Sequence, residues 1–299
     1  MMRGMYAAIS GLKTHQIALD VTANDLSNVN TVGYKSARTT FKDSLTQIQR
    51  SGSASSTGVG GTNPAQVGLG TQLGSIDSVM VNGAFQATGA PLDMAISGEG
   101  WFRVGTGTPT PGNPTAGVPA PPNDMHYTRA GNFTRNDAGY MITQDGSYVV
   151  GSTYPAGTAG AQPCYLNIPA GATDVAVAPD GAVSFVPPAG YTQPAALPPI
   201  ANGRAVVGYM TLAKFANESG LERVNSNQWR STGPSGPEAV GTPANNGFGQ
   251  SIGGTLEMSN VDLASEFTDM ISAQRGFQAN SRVISTADEM LNDLVNIKR

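Results

Sequence analysis

The sequence has little of what most enzymes and nucleic-acid binders depend on. It holds one cysteine, Cys164, so neither an intrachain disulfide framework nor a thiolate metal cluster can be built. Cys164 sits in Gln-Pro-Cys-Tyr-Leu beside a strand-like run, where a small buried apolar side chain is the expected role. There are two histidines, His15 and His126, in different segments, and no His-x-x-x-His or Cys-x-x-Cys spacing for a metal. A Ser-His-Asp triad would have to be built on one of them, and nothing in the sequence supports that. The 17 Lys and Arg are scattered against 21 Asp and Glu, for a net charge of −4. Binding to phosphate backbones needs clustered cations, so nucleic acid is not an expected partner. Long apolar runs are missing as well. No stretch approaches the roughly 20 apolar residues of a membrane span, and the N-terminal Met-Met-Arg-Gly-Met-Tyr-Ala-Ala-Ile-Ser lacks the apolar core of a cleaved signal peptide. If the protein leaves the cytoplasm, it does so by a route that does not read a conventional signal.

The remaining candidates for chemistry are weak. Asp124, Asp137, Asp145 and Asp180 lie in turn sequences, where an Asp side chain bonds its own local backbone. Asp93 in Pro-Leu-Asp-Met-Ala-Ile and Glu99 in Gly-Glu-Gly could flank a sugar as a carboxylate pair, but a structural turn explains them better. Gly68-Leu-Gly-Thr-Gln-Leu-Gly74 fits a phosphate-cradling loop only loosely, lacking the strand before and the helix after. Trp101 and Trp229 read as core aromatics before they read as a ligand platform. No catalytic, cofactor-binding or metal-binding residue is assigned.

What is abundant is glycine (38) and proline (20), in a chain 39% hydrophobic and only 13% charged. Turns and short strands therefore dominate the middle. Runs at 92–96, 101–104, 140–143, 148–150, 174–178, 183–186 and 205–215 alternate with Asn136-Asp-Ala-Gly, Gln144-Asp-Gly and Pro179-Asp-Gly, which are hairpin turns. Pro/Gly-rich inserts at 105–123 and 187–202 read as surface loops, and 44–72 reads as a polar linker.

The two ends differ. Over 3–29, Met5, Ile9, Leu12, Gln16, Leu19, Ala23 and Leu26 follow alternating steps of four and three, the spacing of one helix face. Over 261–298 the same rhythm runs through Leu263, Phe267, Met270, Gln274, Phe277, Ser281, Ile284, Asp288, Leu291 and Val295. Asn260 or Ser259 is the expected cap, with Asp262 and Glu266 at the positive end of the helix dipole and Lys298 and Arg299 at the other. Both stripes are too thin for a helix to stand alone in water. Each needs a partner: the other helix, and further copies of the chain. The expected fold is mainly β with terminal helices that pair as a coiled coil. The expected division is 1–30 with 260–299 as the helical domain, 31–72 as a connecting segment and 73–259 as a β-rich domain.

Several strings bear a resemblance. Met5-Tyr-Ala-Ala-Ile-Ser-Gly-Leu-Lys and the later Asn24, Leu26, Ser27, Asn28, Thr31, Gly33, Tyr34 and Lys35 resemble the N-terminal signature of bacterial flagellar rod and hook proteins. Leu256-Glu-Met-Ser-Asn-Val-Asp-Leu-Ala, which includes Asn260, and Met270-Ile-Ser-Ala-Gln-Arg-Gly-Phe-Gln-Ala-Asn, with Gln274 and Arg275, resemble the C-terminal block of that family. Leu92-Asp-Met-Ala-Ile-Ser-Gly-Glu-Gly-Trp-Phe and Tyr127-Thr-Arg-Ala-Gly-Asn-Phe resemble its β-domain motifs.

The resemblance implies a non-enzymatic subunit of a helical tube, with terminal helices along the tube and one outer β domain. It implies homo-oligomerisation, for which the four-three stripes offer Met5, Ile9, Leu12, Leu19, Leu26, Leu263, Phe267, Met270, Phe277, Ile284 and Leu291 as the expected interface. It also implies contact with neighbouring axial proteins (rod, hook-filament junction, hook cap) and with the flagellar export apparatus. The place implied is the extracellular hook or the basal body. Asn63-Pro-Ala-Gln-Val-Gly-Leu-Gly and Thr40-Phe-Lys-Asp favour a short hook protein that transmits torque to the filament. Ile168-Pro-Ala-Gly-Ala-Thr, Phe215-Ala-Asn-Glu-Ser-Gly-Leu and the lack of room for a second outer domain favour the alternative, a distal rod protein. Readings from other classes are a secreted carbohydrate-active enzyme and an adhesive β module, the latter requiring exposed Trp101 and Trp229.

Overall fold

The computed structural model describes residues 2–54, 60–107, 125–155, 162–188, 191, 193, 197–198, 200, 203–245 and 247–297. Most of the inserts expected at 105–123 and 187–202, the tip of the expected linker at 55–59, Asp124, Lys298 and Arg299 lie outside the described residues. The chain divides into two compact units: Met1–Asn28, Ser36–Val79 and Val261–Arg299 in one, Val29–Lys35 and Met80–Asn260 in the other.

In the first unit, helix α1 (Met2–Ser27) pairs with helix α2 (Leu263–Ile297). The pair is antiparallel, since Gly11 faces Asn280 and Gly276 faces His15. The stripe that α1 buries is Ala8, Gly11, Thr14, Ala18, Thr22 and Asp25, in steps of three and four. These are small or polar residues, and they let the backbones approach closely. A Cβ on Gly11 would lie 2.6 Å from the Asn280 amide, and one on Gly276 would lie 2.5 Å from the His15 ring. The facing stripe on α2 has Ala273 and Ala287 buried, with Met270, Gly276, Ile284 and Leu291 half-buried. The cap of α2 is Asp262, not Asn260 or Ser259: its Oδ1 accepts from the Ala264 N–H at 3.0 Å.

The segment read as a linker is a hairpin. Strand β1 (Ala37–Asp43) pairs with β4 (Thr71–Ser78), and β2 (Thr46–Arg50) pairs with β3 (Ala65–Gly68), all antiparallel. The Ser44 N–H donates to Gly70 O and the Leu69 N–H to Leu45 O, which joins the two pairs into one ribbon. Polar composition conceals it, because the ribbon has no apolar core of its own and is held by its ladder together with its seat on α1. Its base rests on α1: the Thr71 N–H donates to Ser10 Oγ at 3.2 Å, and Gly70 (φ 121°) sits where a Cβ would collide with that hydroxyl.

The second unit is β. Strands β5 (Phe85–Ala87), β6 (Met94–Ser97), β7 (Trp101–Gly105) and β8 (Met125–Thr128) lead into a large antiparallel sheet. At its centre Tyr148–Ser152 pairs with β7, β7 with β8, and β8 with Gln228–Arg230. The three hairpin turns expected at 136–139, 144–146 and 179–181 are present, with Gly139, Gly146 and Gly181 at φ between 82° and 90°. The sheet is covered on both faces. Phe102 and Val104 of β7 enter one core with Met94, Val149, Phe185 and Cys164. Trp101 enters the other with Tyr127, Val150, Phe215 and Trp229. Arg103 shares that second side through a two-pronged bond to Glu238 at 3.1 and 3.2 Å, where the Tyr127 hydroxyl also donates.

Candidate functional site

Among the described residues, Asp93 and Glu99 are each held in a separate local contact. Asp93 accepts from the Thr88 hydroxyl, and Glu99 is largely exposed and ion-paired to Lys214. Trp101 and Trp229 are both buried, edge to face at 5.6 Å between centroids, so they offer no ligand surface. Among the described residues no cluster of three or more His, Cys, Asp or Glu could hold a metal. Among them, too, no helix is long and apolar enough to cross a membrane.

The structure instead concentrates buried charge where the two ends of the chain join the β unit. Lys35 is wholly buried and its Nζ donates to Glu257 Oε1 at 2.7 Å and to Val81 O at 2.9 Å. Arg129 Nη1 lies 3.4 Å from Glu257 Oε2, and its Nη2 donates to Gly98 O at 3.0 Å. The Gly83 N–H also donates to Glu257 Oε1, at 3.0 Å. One carboxylate thus serves two cations. Burial pulls Lys35 and Arg129 below their ordinary pKa values, and Glu257 pulls each back up.

A stack of rings and guanidinium groups runs beside this cluster. Arg129 lies over Trp101 at 5.3 Å, Trp101 meets Trp229, and Arg223 lies over both Trp229 (4.9 Å) and Tyr34 (4.7 Å). Arg223 also donates to Lys35 O at 2.7 Å, and Asn227 Nδ2 to Val32 O at 2.7 Å. Gly33 has φ 66° and its N–H donates to Glu257 O at 2.7 Å. A Cβ there would lie 2.5 Å from the Ala130 nitrogen, so glycine is required on two counts. Asn260 Nδ2 donates to Val81 O at 3.1 Å. Gly33, Tyr34, Lys35 and Asn260 are therefore brought together. Their partners Arg129 and Glu257 lie inside the quoted motifs, and that resemblance is the available signal for them. Arg223 had none.

The other expected site residues lie on the helices. Asn28 Nδ2 donates to Asn24 O at 2.9 Å, closing α1. Met270, Ile284 and Leu291 fall on the face of α2 turned to α1, and Met5, Leu12, Leu19 and Leu26 are half-buried. Ile9, Leu263, Phe267, Gln274, Arg275 and Phe277 are exposed. Large exposed apolar side chains collect in this unit: Phe267 49%, Phe277 38% and Val283 46% on α2, and Phe41, Leu45, Ile48, Val67 and Ile76 on the ribbon.

Comparison of the sequence with known proteins finds relatives that span the whole chain. Family models described as "Flagella basal body rod protein", "Flagellar hook protein FlgE/F/G D1 domain" and "Flagellar basal body rod FlgEFG protein C-terminal" match residues 5–35, 117–185 and 252–297. The flagellar basal-body rod protein FlgG of Bacillus subtilis is 42% identical over 300 residues, covering all of both chains. FlgG of Caulobacter vibrioides is 38% identical over 97% of each. The flagellar hook protein FlgE of Borreliella burgdorferi is 26% identical over an alignment of 456 positions. The chain belongs to the bacterial flagellar rod and hook protein family, the non-enzymatic structural proteins that assemble the axial structure of the flagellum.

Proposed function

We propose that this chain is the subunit of a distal rod, and that it builds a helical tube by packing its helical unit against other copies. The observation that carries the rod over the hook is length. The similarity to FlgG of Bacillus subtilis runs through both chains without a large insertion. The alignment to a hook protein spans 456 positions, which a chain of 299 residues fills only with gaps. The alternative of the sequence reading is thus better supported than the hook itself.

Self-assembly is supported by the distribution of exposed apolar surface. A two-stranded ribbon does not hold itself together in water, and it leaves Phe41, Leu45, Ile48, Val67 and Ile76 in solvent. Covering each half-exposed aromatic or aliphatic side chain is worth roughly 1 kcal/mol. A dozen such groups, gathered over several copies, contribute about 12 kcal/mol, the same order as the roughly 4–15 kcal/mol that binding costs in lost freedom. Rod and hook proteins adjoining the two ends of the tube, and the flagellar export apparatus, are the other partners in this reading.

The test has two parts. Purified full-length chain, concentrated and viewed by electron microscopy, forms tubes, and a chain lacking 1–28 and 261–299 stays monomeric in sedimentation. Polymer from the truncated chain overturns the helix-based assembly. Gold-labelled antibody on isolated flagella marks the rod inside the basal body; label on the external curved hook restores the hook reading.

A further inference from the structure

A groove of about 530 Å³ opens within the helical unit, between α1, α2 and β1. Ala18 and Val21 of α1, Phe41 of β1 and Val79 give it apolar walls, and Glu266 and Asp269 of α2 line it. Asp25 of α1 and Asp262 add to the negative field at Glu266, and burial together with these carboxylates holds Glu266 above its ordinary pKa. The basic groups on the wall are Arg38 of β1 and His15 of α1. Among the described residues neither Glu266 nor Asp269 has an ion-pair partner.

The opposite side of α2 carries the complement. At 3.6 residues per turn, Phe267, Ile271, Arg275 and Arg282 fall within a sector of about 80°, roughly half a turn from Glu266 and Asp269. Phe267 is 49% and Ile271 50% exposed, and both arginines are exposed and without an ion-pair partner among the described residues. A groove and a ridge on opposite sides of one helix cannot meet in the same molecule. They can meet in two. Such a contact uses different patches on the two partners, and a repeated contact of that kind grows an open helix when each copy is also shifted along the axis, so that the rotation does not close.

We propose that Arg275 and Arg282 on the outer side of α2 in one copy pair with Asp262, Glu266 and Asp269 at the acidic groove of the next. The spacing fits. Arg275 and Arg282 are seven residues apart, as are Asp262 and Asp269, about 10 Å along a helix. Parallel copies match them when shifted by 13 residues, an axial stagger of about 20 Å. This pairing rests on the self-assembly proposed above and adds to it which faces meet.

Reciprocal charge reversal in the full-length chain tests it. Arg275→Glu with Arg282→Glu makes one variant; Glu266→Lys with Asp269→Lys makes the other. Each alone is expected to raise the concentration needed for polymerisation at least tenfold in sedimentation. An equimolar mixture is expected to polymerise near the wild-type concentration, since each acidic ridge finds a basic groove and each basic ridge an acidic one. An arginine variant that polymerises like wild type overturns the pairing and leaves self-assembly standing. So does a mixture that fails although both variants keep wild-type helicity by circular dichroism. Should the lysine variant lose its helicity, Arg275→Gln with Arg282→Gln decides alone: its side chains are exposed, and unchanged polymerisation refutes the pairing. A wild-type chain that never polymerises refutes self-assembly and this contact with it.

Discussion

Glu257 is the residue on which the buried charge cluster turns. It is the one carboxylate bonded to Lys35, Arg129 and the Gly83 N–H, and all three side chains are buried. Glu257→Gln keeps the shape and removes the charge, leaving two buried cations unbalanced. Losing one partner of a buried ionic group costs about 3–5 kcal/mol, so the urea midpoint of the β unit falls sharply. Lys35→Met leaves Arg129 and Glu257 as a matched pair, and its loss should be less than half as large. Equal losses for the two would show that charge balance is not what matters there. Cys164 gives a second residue-level expectation. Burial pushes its thiol from 9.0 up to about 12. A higher pKa means less thiolate, so at pH 8 the folded thiol carries about a thousandfold less of the reactive form. Alkylation by iodoacetamide should then wait for unfolding. Between pH 9 and 12 the unfolded chain has lost a proton that the folded chain retains, so this group lowers stability as pH rises through that window. Rapid labelling of the native protein would contradict the burial.

At the scale of elements, two associations differ in kind. The α1–α2 pair is fitted by small residues, and Gly276 is the tightest point against His15. Gly276→Leu drives the His15 ring aside and should cost about 1–3 kcal/mol by overpacking, read as lost helicity on warming. The ribbon makes its outward contacts elsewhere. Phe41→Ser or Ile48→Ser should leave the thermal transition of the β unit unchanged and raise the polymerisation concentration about fivefold, the equivalent of roughly 1 kcal/mol. A ribbon variant that polymerises normally would show that this surface stays wet in the tube. These elements also mark how far sequence could be read. The helices were legible from their four-three rhythm, and the hairpin turns from Asp-Gly and Asn-x-x-Gly. The face α1 buries was not, because counting large apolar residues selects Met5, Leu12 and Leu19, whereas close helix approach selects Ala8, Gly11 and Ala18. The ribbon was missed because serine, glycine and threonine carry no apolar alternation. Of the buried cluster, Gly33, Tyr34 and Lys35 stood out by resemblance alone. Nothing local announces that a lysine will find its carboxylate 222 residues later.

For the whole molecule, that separation has a consequence for when the chain can fold. The β unit draws on Val29–Lys35 and on Met80–Asn260, so it is closed by residues near both ends of the sequence. Gly33 bonds Glu257 through the backbone, Lys35 bonds it through the side chain, and strand Thr255–Glu257 supplies the pairing for β5. Before that strand arrives, β5 has no partner and Lys35 and Arg129 lack their carboxylate. Loop-closure entropy grows slowly with length, but it must be met before distant contacts return anything, so such a domain cannot complete itself piecemeal. A chain ending at residue 255 should therefore show no cooperative transition in urea, although it retains nearly all of both hydrophobic cores. A chain ending at 262, which lacks α2 but keeps the closing strand, should unfold cooperatively with the urea midpoint of the β unit in the full-length chain. The two chains differ by seven residues, too few to change hydrophobic burial much. A cooperative transition of native midpoint in the shorter chain would show that the cores alone define the fold and that the closing strand and its carboxylate are secondary.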